Sequence, residues 1–191
     1  MKKGNLIIVT LMGTLVLWNG SARAEGPFRQ GATEWGFRSG YGDNFQVNNV
    51  EADVEFYFLK PFWGKILKTW EDRRSLEFVG EGFLSFVRQD SEDRYAGGLT
   101  GVIAYNIRLS EKWVPFVELG VGVLYTDLNP EGFGSHFNFT PQGGVGVRYK
   151  VLEGRYLTFS YRLHHISNAG LDEDNSSIDS HFFSIGLSFF R

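Results

Sequence analysis

The chain has no cysteine among its 191 residues, and it has only 5 prolines. Without cysteine no disulfide can stabilise the fold, and no thiol chemistry is available to the protein. The formal net charge of −3 is small, which argues against nucleic acid as a partner. Glycine (24) and phenylalanine (18) are abundant instead, and aromatic residues make up 16% of the chain. This composition favours many strands with aromatic anchors over a helical bundle.

The first residues have the pattern of a secretory signal peptide. Two lysines precede an apolar run at 6–18, which is too short for a comfortable membrane-spanning helix. An Ala-Arg-Ala sequence at 22–24 is a typical small-x-small cleavage site. We therefore predict a signal peptide at 1–24 and one mature domain at 25–191, in which no other segment approaches a helical membrane span. A retained N-terminal anchor is the alternative.

Eight segments of the mature chain alternate between apolar and other residues, as half-buried strands do. Each is long enough for a tilted membrane strand, which needs about 9–11 residues. Turn-like or polar stretches separate them, such as Gly42-Asp43-Asn44 and Leu152-Glu153-Gly154. The predicted strands are 33–41, 48–59, 75–88, 96–108, 114–126, 137–149, 155–167 and 179–191.

The alternation gives each segment an apolar and a polar face. In the second segment we assign Val54, Phe56 and Phe58 to the apolar face, with Asp53 and Glu55 opposite. The polar faces are rich in glycine, serine and threonine, and lysine is nearly absent from them. They also carry acidic and arginine residues that could pair with each other: Glu34, Glu51, Asp53, Glu55, Glu77, Glu81 and Glu118 with Arg38, Arg108, Arg148 and Arg162.

Two folds are compatible with this alternation. A soluble sandwich or lipocalin-like barrel would turn the apolar face inward, whereas a membrane barrel would turn it outward. Small residues and acid–arginine pairs suit a narrow, filled barrel lumen, while a solvated surface more often carries lysine. Aromatic residues near strand ends, such as Trp35 and Tyr125, suit the interfacial girdles of a membrane barrel. We therefore predict an all-β fold, an eight-stranded antiparallel transmembrane β-barrel, with the soluble barrel as the alternative.

The strand count also predicts an orientation. Both termini of an even-stranded outer-membrane barrel lie in the periplasm, where turns are short, and the longer loops are extracellular. The connection 168–178 is then extracellular, and the end of the seventh strand lies near the outer leaflet. The connection 60–74 is expected on the periplasmic side although it is long. Its basic and aromatic character suits either an interfacial helix or an ordinary surface loop.

The seventh strand carries two candidate reactive side chains at the end of its apolar face. The apolar face that contains Leu163 continues, two residues at a time, to His165 and Ser167. These are a potential base and a potential nucleophile. A serine hydrolase needs a base near the serine Oγ, an orienting group for that base and donors for the oxyanion. Asp179 opens the returning strand with matching parity, so antiparallel pairing could place it beside His165. On its own, a His-x-Ser pair is also common near surface loops.

The motif His165-Ile166-Ser167-Asn168-Ala169-Gly170, followed by an acid at Asp179, resembles the lipid A 3-O-deacylase (PagL) family of outer-membrane ester hydrolases. The resemblance implies an eight-stranded outer-membrane barrel that hydrolyses the ester-linked 3-hydroxyacyl chain at the 3-position of lipid A. Lipid A, within lipopolysaccharide, would be the substrate, and outer-membrane lipids would surround the protein. The resemblance implies no metal ion and no other cofactor.

The same resemblance implies roles for individual residues. Ser167 would be the nucleophile, His165 the base and Asp179 the orienter of His165. The oxyanion would be stabilised by donors close to the serine, namely Asn168, the Gly170 N–H and Asn175. The family acid is typically glutamate, whereas this chain has the shorter aspartate, and Glu173 is a rival orienter in the loop. His164 has the opposite parity and should face the lumen.

Two other functions fit the same barrel. An outer-membrane phospholipase usually pairs serine and histidine with asparagine, and it needs calcium and a dimer. A non-enzymatic barrel for adhesion or envelope integrity would leave Ser167 and His165 dispensable. The acidic loop 172–175 lacks the spacing and glycine of a calcium-binding EF-hand, and we interpret it as a solvated loop. A homodimer is compatible with either enzyme.

Overall fold

A computed structural model describes residues 27–47, 53–128, 134–174 and 176–191, so the predicted signal peptide lies outside the described residues. None of the described residues forms a helix long and apolar enough to cross a membrane. Nine strands are present in the described part of the chain: β1 (Thr33–Val47), β2 (Val54–Thr69), β3 (Arg74–Gln89), β4 (Glu92–Ile107), β5 (Trp113–Thr126), β6 (Phe137–Phe139), β7 (Gln142–Leu152), β8 (Arg155–Ile166) and β9 (Ile178–Phe190).

These strands form one antiparallel sheet that closes on itself. Neighbouring strands follow the order β4-β3-β2-β1-β9-β8-β7-β5, and β4 also pairs with β5, which closes the ring. Both β6 and β7 pair with β5, so together they form a single, interrupted side of the barrel. The predicted eight-stranded antiparallel barrel is therefore confirmed. In the described part of the chain, closure removes the two edges that an open sheet would expose, as a strand protein in lipid requires.

The predicted long connection at 60–74 was wrong. Strand β2 continues to Thr69 and β3 begins at Arg74, which leaves only a tight turn between them. The strand runs through Pro61, although proline cannot donate a ladder hydrogen bond. In the structure Pro61 pairs in register with Phe37 of β1, while pairing between β2 and β3 is interrupted there. The segment therefore forms neither an interfacial helix nor a surface loop.

The outer surface of the barrel is apolar, as expected for strands that face lipid. Large aliphatic side chains lie exposed along it, for example Leu119 at 73% and Leu99 at 68%. Val117 and Val121 in β5 and Ile185 in β9 also lie exposed on this surface. A soluble barrel would instead have buried this face. An apolar belt around a closed sheet is typical of an outer-membrane barrel.

The face assignment for the second segment was wrong. Val54, Phe56 and Phe58 point into the lumen and are almost completely buried, whereas Tyr57 faces outward. The side chain of Glu55 is also outside, where it accepts hydrogen bonds from two tyrosine hydroxyls. Both faces of β2 carry apolar residues, so alternation alone could not tell which one faces lipid. Of the other predicted lumen acids, Asp53 is exposed at the strand end and Glu51 lies outside the described residues.

The centre of the lumen holds a buried ion cluster, which confirms the predicted pairing of inward acids and arginines. Arg162 donates to Glu81 at 2.5 and 2.8 Å, to Glu118 at 2.5 Å and to Gln142 at 2.8 Å. Arg38 donates to Glu81 at 3.1 Å and to Glu118 at 3.4 Å. All four charged side chains are at most 4% exposed. Two carboxylates and two guanidinium groups therefore balance each other away from water.

A second cluster lies closer to the end of the barrel that holds both termini. Arg148 donates to Glu77 at 2.9 Å and to Glu34 at 3.2 Å, and it also bonds the Asn106 side-chain oxygen. Asn106 in turn donates to Glu77 at 3.1 Å. The lumen is thus filled by hydrogen-bonded side chains, as in a narrow barrel without an open channel.

Inward glycines make room for the long arginine side chains. Gly144 pairs in register with Arg162, and a Cβ at Gly144 would lie 2.7 Å from the Arg162 Cγ. Gly186 pairs with Arg38, and a Cβ there would also lie 2.7 Å from the arginine Cγ. A Cβ at either position would also meet the backbone carbonyl of the neighbouring strand, so a side chain larger than that of glycine does not fit beside these two arginines.

One lumen cation was missed because it lies in the stretch read as a connection. Lys60 is buried, and its Nζ lies 4.9–5.2 Å from the ring centres of Phe58, Phe83 and Phe182. His164 stacks on Phe182 at 4.4 Å and is buried, so it faces the lumen as its parity predicted. This aromatic group lies directly behind the end of β8, where the candidate reactive residues are found.

Candidate active site

The backbone of β8 and β9 brings the three predicted catalytic side chains together. His165 pairs directly with Asp179 across the antiparallel ladder. Strand β8 ends at Ile166, and Ser167 then forms an isolated bridge with Phe139 of β6. The two residues of this bridge exchange backbone hydrogen bonds of 2.8 and 3.2 Å. Ser167 is therefore held by its backbone even though it lies beyond the last residue of β8.

The three side chains form a continuous hydrogen-bonded chain. His165 Nδ1 lies 2.7 Å from Asp179 Oδ1, and His165 Nε2 lies 3.1 Å from Ser167 Oγ. Because an ionised carboxylate only accepts hydrogen bonds, His165 donates from Nδ1, and Nε2 is left to accept the Ser167 hydroxyl proton. This is the arrangement of nucleophile, base and orienter in serine hydrolases.

These side chains point out of the barrel and not into its lumen. The His165 and Asp179 side chains are 37% and 26% exposed. Leu163, which precedes His165 on the same face of β8, is among the exposed apolar residues of the outer surface. A molecule in the surrounding lipid can therefore reach the hydrogen-bonded chain without entering the barrel.

Aspartate reaches His165 although it is one methylene shorter than glutamate. Direct register pairing of the two residues is sufficient to bring the carboxylate to 2.7 Å. The rival orienter Glu173 lies exposed in the loop that joins β8 and β9. The carboxylate that hydrogen-bonds His165 is therefore that of Asp179.

The Asn-Ala-Gly sequence after the serine shapes a tight loop. The buried Asn168 donates from Nδ2 to the Asp174 carbonyl at 2.7 Å, and its Oδ1 accepts from the Gly170 N–H at 2.8 Å. Ala169 and Gly170 both have positive φ, 57° and 79°, which glycine adopts freely and alanine rarely. Two of the three predicted oxyanion donors therefore brace this loop, and the third, Asn175, lies outside the described residues.

Two polar side chains beside the triad, His181 and Tyr161, were not predicted from the sequence as part of the site. His181 lies two residues after Asp179 on the outward face of β9, and its Nδ1 lies 2.6 Å from the Tyr161 hydroxyl. Two-residue spacing from the triad acid was the signal that could have identified His181.

A groove runs along the lipid-facing surface below these residues, towards the middle of the barrel. It is a shallow depression, mostly open to the outside, with a volume of about 670 Å³. It is lined mainly by β7, β8 and β9, among them Tyr161, Phe183 and Ile185, and by Ser39 and Gly40 of β1. We refer to it as the β8–β9 groove. In the described part of the chain, no group of three or more histidine, aspartate or glutamate side chains is arranged to hold a metal ion.

Comparisons with known proteins point to one family. A family model described as lipid A 3-O-deacylase (PagL) matches residues 52–188, which is well over half of the chain. The crystal structure of the outer membrane enzyme PagL is similar, with a TM-score of 0.59 at 19% identity, over 82% of this chain and 98% of that chain. No curated protein sequence matches at a significant level.

Other solved structures share the fold. Neisserial surface protein A matches with a TM-score of 0.59 at 13% identity, over 84% of this chain and 99% of its own. The outer membrane protein OprG from Pseudomonas aeruginosa matches with a TM-score of 0.52 at 14% identity, over 86% of this chain and 98% of its own. At such identities the structural likeness shows the fold alone.

Proposed function

Because this chain belongs to the lipid A 3-O-deacylase (PagL) family, we propose that it hydrolyses the ester-linked 3-hydroxyacyl chain at the 3-position of lipid A by a serine mechanism, in the outer leaflet. Family membership makes the chain an outer-membrane β-barrel and an ester hydrolase whose substrate is lipid A or lipopolysaccharide. The observation that carries the serine mechanism is the chain of hydrogen bonds from Asp179 through His165 to Ser167.

The geometry supports a two-step acyl transfer. Ser167 Oγ attacks the ester carbonyl while His165 Nε2 takes its proton, and the imidazolium then gives that proton to the departing sugar oxygen. The acyl chain is left esterified to Ser167. Water, deprotonated by His165, attacks this ester and releases the free fatty acid and the original serine. Asp179 stabilises the imidazolium in both steps and itself stays ionised.

The outward direction of the triad suits a substrate that never leaves the bilayer. Lipid A diffuses laterally, so its ester can meet Ser167 from the lipid side, and the cleaved chain can stay among other acyl chains. The β8–β9 groove lies on the same surface and offers the acyl chain an apolar path. A lumen-facing triad would require the substrate to enter a barrel filled with ion pairs.

The activity is tested by the mass of lipid A in outer membranes that contain or lack this protein. We expect the protein to remove one 3-hydroxyacyl chain from lipid A, because hydrolysis at the 3-position replaces the ester by a free hydroxyl. Loss of acyl chains from glycerophospholipids, with lipid A unchanged, would indicate the phospholipase instead. An assembled barrel that alters neither lipid would contradict deacylation and favour a non-enzymatic role.

The proposed leaflet depends on the orientation of the barrel, which predicts an accessibility difference. The chain has no natural cysteine, so single-cysteine variants can be labelled uniquely. A membrane-impermeant maleimide should label Asp174→Cys in the β8–β9 loop on intact cells. It should label Glu153→Cys, at the exposed turn between β7 and β8, only after the outer membrane is permeabilised. Labelling of Glu153→Cys but not Asp174→Cys on intact cells would reverse the orientation.

A further inference from the structure

A histidine occupies the lipid-facing surface immediately below the triad. His181 shares the outward face of β9 with Asp179 above it and the exposed Phe183 below it. Two residues along a strand correspond to about 7 Å, so His181 lies one step from the triad acid towards the middle of the membrane. It sits between the triad and the walls of the β8–β9 groove formed by Tyr161 and Phe183.

The imidazole of His181 is held in a defined position. The Tyr161 hydroxyl lies 2.6 Å from Nδ1, and the ring packs on Phe45 at a centroid distance of 4.2 Å. The ring also stacks on Tyr161, with an interplanar angle of 28°. Packing and the hydrogen bond together fix the ring plane, and Nε2 lies on the opposite edge of the ring from Nδ1.

A histidine in this place needs a reason beyond packing. A polar ring against lipid chains loses the hydrogen bonds that water would make, so a phenylalanine would be less costly at this position. Tyr161 satisfies only one of the two ring nitrogens. An ionisable residue that faces lipid beside a reactive centre is most simply explained by a polar group on the molecule that binds there.

The acyl chain to be cleaved carries such a group. In a 3-hydroxyacyl ester the hydroxyl lies two carbons from the carbonyl that Ser167 attacks, on the part of the chain that leads into the membrane. A chain that extends from Ser167 towards the β8–β9 groove runs over the part of the outer surface that carries His181, because His181 lies between Asp179 and Phe183 on β9. We propose that His181, oriented by Tyr161, hydrogen-bonds the 3-hydroxyl and selects hydroxylated acyl chains over plain ones. This inference rests on the proposed deacylase activity.

The test compares two substrates that differ only in this hydroxyl. Purified protein in detergent micelles is given lipid A with a 3-hydroxyacyl chain at the 3-position, or a synthetic analogue with an unsubstituted chain of equal length. His181→Phe keeps the ring packing and removes both nitrogens. It should lower kcat/KM for the hydroxylated substrate about 10-fold and leave that for the plain substrate nearly unchanged. The measured ratio is kcat/KM for the hydroxylated substrate divided by kcat/KM for the plain substrate. Tyr161→Phe keeps the tyrosine ring but removes the hydroxyl that bonds His181 Nδ1, and it should lower this ratio less than His181→Phe does.

Controls separate this role from a general effect on the site. Tyr125→Phe, at an exposed tyrosine on another part of the outer surface, should leave the ratio unchanged. An unaltered ratio in an assembled His181→Phe barrel would overturn the proposal, and so would an equal loss on both substrates, which would mean that His181 only positions Asp179. Wild-type protein that cleaves neither substrate would refute the deacylase activity itself, and this inference with it.

Discussion

Ser167→Ala should abolish release of the 3-hydroxy fatty acid from lipid A while the barrel still assembles. The alanine removes the only oxygen that His165 Nε2 contacts in the triad, so no acyl-enzyme can form. We expect a loss in kcat of about 10⁴-fold or more, and His165→Ala should cost nearly as much. The double variant should be little worse than either single one, because nucleophile and base act as one unit. The measurement is the lipid A mass in outer membranes carrying each variant.

The acid of the triad should respond differently. Asp179→Asn should cost less than Ser167→Ala, because Asp179 orients and supports His165 without forming a covalent bond. Asp179→Glu should retain activity if the strands accommodate one more methylene. Loss of activity in Glu173→Gln, with none in Asp179→Asn, would move the orienting role into the loop.

A matched histidine control shows whether the effect is specific to the site. His136 hydrogen-bonds the Thr126 carbonyl and packs on Tyr125, so these contacts are with β5 and not with the triad. His136→Ala should leave deacylation intact. Full deacylation by an assembled Ser167→Ala barrel would overturn the assignment of the nucleophile.

The triad contacts were predictable from the sequence because they follow from strand parity. His165 and Ser167 are two residues apart on one face, and antiparallel pairing of the next strand sets Asp179 opposite His165. The role of Asn168 was not predictable in the same way. Its amide bonds the Asp174 carbonyl and the Gly170 N–H, and such contacts depend on the path of the loop. Strand parity places His181 on the outward face of β9. Its hydrogen bond to Tyr161 could not be predicted, because that depends on the register between β8 and β9.

Parity also explains where the fold prediction succeeded and where it failed. Strands such as β5 have one clearly apolar face, so their direction could be read from the sequence. Strand β2 is apolar on both faces, and only pairing with β1 and β3 decides that Phe56 is inside and Tyr57 outside. The second half of β2, which contains Pro61, was predicted as a connection, so the buried Lys60 was missed. A proline can lie inside a strand when, as here, it pairs in register with a neighbouring strand.

Arg162→Met should destabilise the barrel more than any surface substitution. Arg162 bonds both Glu81 and Glu118, and methionine would leave these buried carboxylates with Arg38 as their only guanidinium partner within the cluster. Removing one member of a buried ion cluster typically costs about 3–5 kcal/mol, because the remaining charges cannot regain their hydration. The urea midpoint for unfolding in lipid vesicles should therefore fall markedly.

The matched control is an arginine on the outer surface. Arg88 is about half exposed and lies 3.8 Å from Glu55, so Arg88→Met should change the stability by about 1 kcal/mol or less. Adding Glu118→Gln to Arg162→Met should recover part of the loss, because Arg38 then balances the one carboxylate that stays charged, Glu81. Equal unfolding midpoints for Arg162→Met and Arg88→Met would show that the lumen cluster does not stabilise the barrel. A rescue by Glu118→Gln would instead locate the cost in the buried carboxylate that loses its partner.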